Sequence, residues 1–260
     1  TLAALRRLKH RCFCHDLGGR LRALIVLVEY LKDPKICNFT KHDFLKYRNK
    51  RTDITANTIN HHHAYLAAVF GELVRLDLLE ANPMIGIRKL RFNETELTYL
   101  TKEQIKLLLE TLKRISIDTY ITTKICLSVG TRWSEATGIK ARNIANNRIS
   151  LTDTKNGKIR QLPLTKELAD EVRENAPFKD GYSTFVRVIR SLEIDMPKGQ
   201  LTHILRHSFA SHFMMNGGDI LTLQKTLGHS DLKMTMRYAH LSPEHLERVV
   251  TLNPISKMQC

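Results

Sequence analysis

Glycines and capping residues divide the stretch Gly199–Leu241, GQLTHILRHSFASHFMMNGGDILTLQKTLGHSDLKMTMRYAHL, into three short helices. No other feature constrains the fold as tightly. Thr202 can cap a helix whose apolar stripe is Leu205, Phe209 and Phe213. Gly217 and Gly218 end it. Asp219 can cap a second helix, which carries Ile220, Leu223 and Leu227 and stops at Gly228. Ser230 can cap a third helix with Tyr238 near its end. His203 and Arg206 lie one turn apart and share a face beside the stripe. With His229 and Tyr238 they collect at helix faces and junctions, where side chains can converge. Phosphodiester chemistry uses these residue types: a guanidinium for phosphate, imidazoles for protons, a phenol as nucleophile. Each alone also fits a core, rim or capping role. The combination and its spacing point to chemistry.

Upstream, Thr101 and Gln104 form a capping box ahead of a helix carrying Ile105, Leu108, Leu109 and Leu112. A further helix runs from about Asp118 to Val129 and stops at Gly130. GTRWSEATGI follows, placing Arg132 at a new helix start with Glu135 three residues on. Free N–H groups and a guanidinium there suit a phosphate. A surface Arg132–Glu135 ion pair fits the same residues. Arg148–Leu164 reads as two strands about Asn156-Gly157, the strongest short hairpin signal. Lys155 precedes that turn, with Lys158 close by, and Pro163 marks the end of the second strand. Helices follow over Thr165–Asn175 and Gly181 to about Leu192. After Tyr238, Ser242-Pro243-Glu244 starts another.

The first segment reads as wholly helical. Leu21, Leu24, Ile25, Val28 and Leu31 form one stripe, ending before Pro34. Thr40 caps a short helix through Phe44, Leu45 and Tyr47. A longer one runs from about Thr55 to near Leu79 with Ile59, Tyr65, Leu66, Val69, Phe70 and Leu73 as its apolar positions. Met84–Leu97 mixes basic and acidic residues and reads as the crossing between domains. The chain then divides into 1–90, a linker at 91–97, and 98–260. HRCFCH at His10–His15 lacks the paired knuckles of a zinc site. His61–His63, consecutive on a helix, cannot all face one metal.

The formal charge is +15 and the pI about 9.7, which favours a polyanionic partner. Lys41, Lys46, Arg48, Lys50 and Arg51 crowd the first segment, and Arg88, Lys89 and Arg91 follow. As a group they suit the phosphates of a polyanion. No apolar run is long enough to span a bilayer, and no secretory signal stands out. Five irregularly spaced cysteines argue against a disulfide framework, and the expectation is a reducing, cytoplasmic protein.

H-x-x-R at His203–Arg206, L-G-H at Leu227–His229 and a Tyr nine positions beyond that His resemble the C-terminal motif of the tyrosine recombinases. HILRHSFASHFMMNGG, LGHS and MTMRYAHLSPEHL are most similar to integrases of temperate tailed phages. The resemblance implies a mainly α fold with a small antiparallel β-sheet: a helical core-binding domain, then an α+β catalytic domain. It also implies a catalytic set of Arg132, Lys155, His203, Arg206, His229 and Tyr238, with Glu135 orienting Arg132. Tyr238 would attack the scissile phosphate and form a 3′-phosphotyrosyl bond, with no metal and no nucleotide cofactor. The implied partners are double-stranded attachment sites, further copies of the chain in a tetramer, and architectural DNA-bending proteins. Integrases of this kind often carry an N-terminal arm-binding domain. The chain offers no candidate for one and lacks an initiator Met, so it is read as part of a longer protein. A chromosome-dimer resolvase, a type IB topoisomerase-like enzyme and a catalytically inactive DNA-binding protein are the alternatives.

Overall fold

Hydroxyl and carboxylate caps set most helix starts in this chain. The computed structural model describes residues 17–92, 98–152, 159–194, 201–243, 250 and 253–257. The chain divides into two compact units, Thr1–Glu94 and Thr95–Cys260.

The first unit holds α1 (Leu17–Tyr30), α2 (Lys41–Lys50) and α3 (Ala56–Arg75). Thr40 caps α2 in a reciprocal box with Asp43, and Thr55 caps α3 through the Thr58 N–H. The buried face of α1 centres on Leu27, fully shielded, with Leu24, Val28 and Leu31 beside it. The stripe read from the sequence omits Leu27. α3 ends a turn earlier than expected. Leu78 N–H bonds Leu73 O and Asp77 N–H bonds Val74 O, a Schellman stop with Asp77 at φ 54°. Glycine usually holds that position, so the sequence carries no visible stop there.

Met84 is buried, and Ile87 and Leu90 pack against the same core. Asn60 clasps Leu90 through both backbone groups at 2.9 Å. Placing the start of the crossing at Met84 is therefore too early: 84–90 belong to this core. Residues 93–97 lie outside the described residues. The three histidines part company, as consecutive helical positions must. His62 is buried against the Tyr47 hydroxyl at 2.6 Å, His63 bonds Met84 O, and His61 stacks on Tyr65. HRCFCH lies outside the described residues.

In the second unit Thr101 and Gln104 form their capping box at α4 (Lys102–Ile115), which buries Leu108 and Leu112. Burying each such leucine contributes about 1.5–3 kcal/mol. α5 (Ile117–Val129) runs through the middle and packs on α4, α6 (Trp133–Thr137), α7 (Lys166–Asn175), α8 (Tyr182–Ser191) and α9 (His203–Met215). It is covered all round, burying Thr119, Thr122 and Thr123 beside Ile121 and Ile125, so it shows no amphipathic stripe. The sheet has order β1-β2-β3, all antiparallel: β1 (Ile144–Ala145), β2 (Arg148–Thr152) and β3 (Ile159–Pro163). β1 is an addition to the two expected strands. It joins β2 through Asn146-Asn147, both with positive φ, the type I′ pattern. The tip carrying Asn156-Gly157, Lys155 and Lys158 lies outside the described residues.

After α9 come α10 (Ile220–Leu227) and α11 (Lys233–Met236). Asp219 caps α10 through the Leu221 and Thr222 N–H groups, as expected. Two expected caps are corrected. Thr202 already has helical backbone angles and makes no side-chain cap. The third helix begins three residues past Ser230, with Asp231 accepting from Lys233 N–H, and is only four residues long. Tyr238 falls just beyond it, where a 3₁₀ turn (Ala239–Leu241) begins. The helix expected after Pro243 is not among the described residues. Also among the described residues, no helix is long and apolar enough to cross a membrane, and no side-chain group could hold a metal ion.

Thr101→Ala should cost about 1 kcal/mol by deleting its half of the capping box. Gly130→Ala should cost more, about 1–3 kcal/mol. Gly130 sits at φ 65°, and a Cβ there would come within 2.4 Å of the Phe209 ring. Urea unfolding of the full chain, followed by the single tryptophan, Trp133, measures both. Equal midpoints for Gly130→Ala and the parent would refute the close approach.

Candidate active site

Arg206 is the deepest charge in the site, only 6% exposed. Its Nη1 donates to Gly130 O at 2.8 Å and its Nη2 to Leu227 O at 2.7 Å. These carbonyls close the C-terminal ends of α5 and α10, where helix dipoles place negative charge. A cation between two such ends is well placed, and burial is offset by hydrogen bonds. Burial first, then the charge of Arg132, pull its pKa down to about 10, so it remains charged at neutral pH.

The same two helix ends launch the next functional residues. Gly130 and Gly228 both take the left-handed conformation, with φ 65° and 70°. A side chain at Gly228 would strike Arg160 at 2.8 Å. Beyond Gly130 the chain turns into α6 with Arg132 at its start. Glu135 receives the Arg132 backbone N–H at 2.9 Å and its Nη1 at 2.7 Å. Arg160 of β3 approaches Glu135 Oε2, the oxygen that accepts the Arg132 backbone N–H, at 2.9 Å and donates to Thr226 O. Burial would raise the Glu135 pKa, but the Arg132 N–H bond and the charges of Arg160 and Arg132 outweigh it and hold the carboxyl below its ordinary value. The surface ion pair considered for Arg132 and Glu135 is thus half of an Arg–Glu–Arg group, in which Glu135 and Arg160 are mostly covered and Arg132 is partly open.

Past Gly228, His229 is held by its own backbone to Gln224, and its Nδ1 bonds the buried Thr235 hydroxyl at 2.9 Å. Burial, followed by the charges of Arg206 and Arg132, lowers its pKa to about 4. His203 is the most open of the site histidines. Its pKa is lowered too, by partial burial and then by Arg206 and Arg132. Tyr238 is 2% exposed, packed with Ala210, Met214, Leu223 and Leu227. Burial raises its pKa, against the opposing pull of Arg237 and Arg206. Its hydroxyl lies 2.6 Å from His207 Nδ1. Arg132, Glu135, His203, Arg206, His229 and Tyr238 therefore gather in one region, while Lys155 lies outside the described residues.

Sequence reasoning missed Arg160, His207 and Thr235. Arg160 had a signal: it sits two residues before the buried Leu162, so strand alternation puts both on one face. His207 lies one turn after His203 on the same face. Thr235 had no signal. Two other polar residues of the motif have structural duties. Ser208 accepts the Leu100 N–H, and the His212 ring meets Leu100 O at 2.8 Å, which pins the start of the unit to α9.

In the first unit, Lys46, Lys50, Arg88, Lys89 and Arg91 are exposed. Lys41 reaches Gly86 O at 3.4 Å, and half-buried Arg48 reaches Arg88 O at 3.3 Å. Arg51 differs from the rest of that basic group. Its guanidinium grips Asp53 at 2.6 and 2.8 Å and lies over the rings of Tyr30 and Tyr47, with its side chain 12% exposed.

Two family models match the chain. One, the phage integrase N-terminal domain, covers residues 10–91, and the other, the phage integrase family, covers 98–176 and 179–245. The integrase of Haemophilus phage HP1 is 43% identical over 93% of this chain and 76% of its own length. The solved catalytic domain of bacteriophage HP1 integrase superposes with a TM-score of 0.59 at 44% identity, covering 63% of this chain and 100% of that one. A lambda integrase dimer bound to a COC′ core site has a TM-score of 0.75 over 92% of this chain and 75% of its own. At 15% identity it shares the fold alone. These matches run across both units and through the cluster built on Arg206. The chain belongs to the phage integrase family, as a tyrosine site-specific recombinase.

Proposed function

We propose that this chain is the DNA-breaking and rejoining part of a prophage integrase, acting at paired double-stranded attachment sites. The observation that carries this reading is the gathering of two arginines, two histidines and a buried tyrosine around the α5 and α10 helix ends. Tyr238 attacks the scissile phosphorus, and its oxygen becomes linked to the 3′-phosphate while the 5′-oxygen departs. A partner strand's 5′-hydroxyl then reverses the step, so bond energy is conserved in the phosphotyrosyl link.

Arg132 and Arg206 neutralise charge on the pentacoordinate phosphorus. Glu135, supported by Arg160, holds the Arg132 guanidinium in place. With the Thr235 hydroxyl donating to His229 Nδ1, the neutral ring carries its hydrogen on Nε2 and can donate it to a non-bridging oxygen. Lys155 protonates the leaving 5′-oxygen. The resemblance to the tyrosine recombinases also implies a share for His203 in handling the nucleophile's proton. The exposed Lys46, Lys50, Arg88, Lys89 and Arg91, with Lys41 and Arg48, contact DNA phosphates. Arg51, held by Asp53, contributes least. Four copies act on two sites, with architectural DNA-bending proteins assisting. The lambda integrase dimer on its core site supports the DNA-binding part of this reading by fold.

Incubation with a nicked suicide site should trap a covalent adduct with the parent and none with Tyr238→Phe, while both bind the site equally. An adduct from the mutant would place the nucleophile elsewhere. Holliday junctions formed from paired sites separate recombination from topoisomerase-like relaxation.

Lys155→Ala should slow cleavage by roughly 10²–10⁴-fold. A 5′-bridging phosphorothiolate, whose thiolate leaves without a proton, should restore most of that rate. Lys158→Ala is the control: if the sulfur substrate rescues it and not Lys155→Ala, the general acid lies three residues along.

Log affinity should fall linearly with log salt, by about 0.9 per phosphate neutralised. Replacing Lys46, Lys50, Arg88 and Lys89 together should flatten that slope. An unchanged slope would remove the first unit from the DNA interface.

A further inference from the structure

Tyr238 does not meet the histidine that the motif brings to mind. The Tyr238 ring packs with Ala210, Met214, Leu223 and Leu227, and its hydroxyl lies 2.6 Å from His207 Nδ1. His203, the first residue of the H-x-x-R pattern, is exposed one turn away, its ring centre 6.5 Å from that of His207. His207 directly follows Arg206, whose guanidinium is fixed by Gly130 O and Leu227 O. Helix α9 thus places a phosphate-binding cation and a contact for the phenol on adjacent residues.

We infer that His207 is a catalytic residue: its Nδ1 holds the Tyr238 hydroxyl and takes its proton during attack on phosphorus. This rests on the reading of Tyr238 as the nucleophile. The Tyr238 O–H bond breaks and its proton passes to Nδ1. The freed oxygen electron pair forms the bond to phosphorus. The bond from phosphorus to the 5′-oxygen breaks, and that oxygen leaves with its electron pair and is protonated in turn. His207 is then an imidazolium carrying hydrogen on both nitrogens. When a 5′-hydroxyl attacks the phosphotyrosyl link, the proton returns from Nδ1 to the departing phenolate.

The surroundings suit a proton acceptor that works only with DNA in place. Burial, then the charges of Arg237, His203 and Arg206, lower the His207 pKa to about 4. The ring is therefore neutral at pH 7 and can accept. Without substrate Arg237 and Arg206 oppose a proton on it. A phosphate entering between Arg206 and Arg132 brings the negative charge that offsets them. The phenol thus keeps its proton until a scissile phosphate is bound.

The test pairs two histidine variants with a more acidic nucleophile. His207→Asn keeps an acceptor oxygen near the Nδ1 position but cannot hold a proton at neutral pH. His203→Asn is its counterpart. Each is made in the full chain with ordinary Tyr238 and with a ring-fluorinated tyrosine at that position, and cleavage is timed on a nicked suicide site. Trp133 fluorescence and DNA affinity confirm a folded, binding protein, and His207→Gln takes over if His207→Asn does not fold.

The expected result is a loss of about 10²–10⁴-fold for His207→Asn, most of it recovered with the fluorinated phenol. His203→Asn should show no such recovery. Parent-like cleavage by His207→Asn overturns the inference. So does a loss that the acidic phenol does not recover, which would make His207 a prop, and so does recovery confined to His203→Asn. Peptide mapping of the parent adduct is read separately: attachment anywhere but residue 238 refutes the nucleophile itself.

Discussion

Two hydrogen bonds from one buried guanidinium organise this catalytic unit. Arg206 joins the end of α5 at Gly130 to the end of α10 at Leu227. Each carbonyl lies at a helix C-terminus, so backbone dipoles compensate a charge that water reaches only slightly. Both helices must stop abruptly for their carbonyls to reach it. Gly130 and Gly228 provide those stops in conformations that side chains rarely adopt. The chain leaving one stop delivers Arg132, and the chain leaving the other delivers His229. One interaction therefore sets the positions of three proposed site residues from three different helices.

Such an arrangement concentrates positive charge. Arg132, Arg160 and Arg206 lie close enough to lower the pKa of His229 together, with Glu135 the acid among them. Glu135 bonds Arg132 and meets Arg160, which restrains the Arg132 side chain and relieves part of the repulsion. The remaining excess of positive charge suits an anion such as a phosphate. Burial first, and nearby positive charge second, hold the His207 and His229 rings neutral at pH 7, so neither adds a further cation.

Much of this was legible in advance. Thr40, Thr101 and Asp219 each cap the helix they were expected to cap, because an N-cap depends on contacts within one turn. The β2–β3 pair and the Gly130 and Gly228 stops are equally local. The misreadings occur where local signals are silent. α3 ends on a left-handed Asp77. α11 is too short to display a period. Thr202, although a good capping residue, is already helical.

The sequence by itself determined which residues are available: the spacing of His203, Arg206, His229 and Tyr238, the capped helices, the glycine stops and the basic charge. Those properties depend on neighbours along the chain. Only the tertiary structure decided which groups touch. It set Arg206 on two distant carbonyls, brought Arg160 of the sheet to Glu135, turned Arg51 onto Asp53 and two tyrosines, and placed the Tyr238 hydroxyl on His207. Each of these except the contacts of Arg51 with Asp53 and Tyr47 joins residues far apart in sequence or on different elements. Their partners are chosen by how helices pack around α5, and no local pattern encodes that packing.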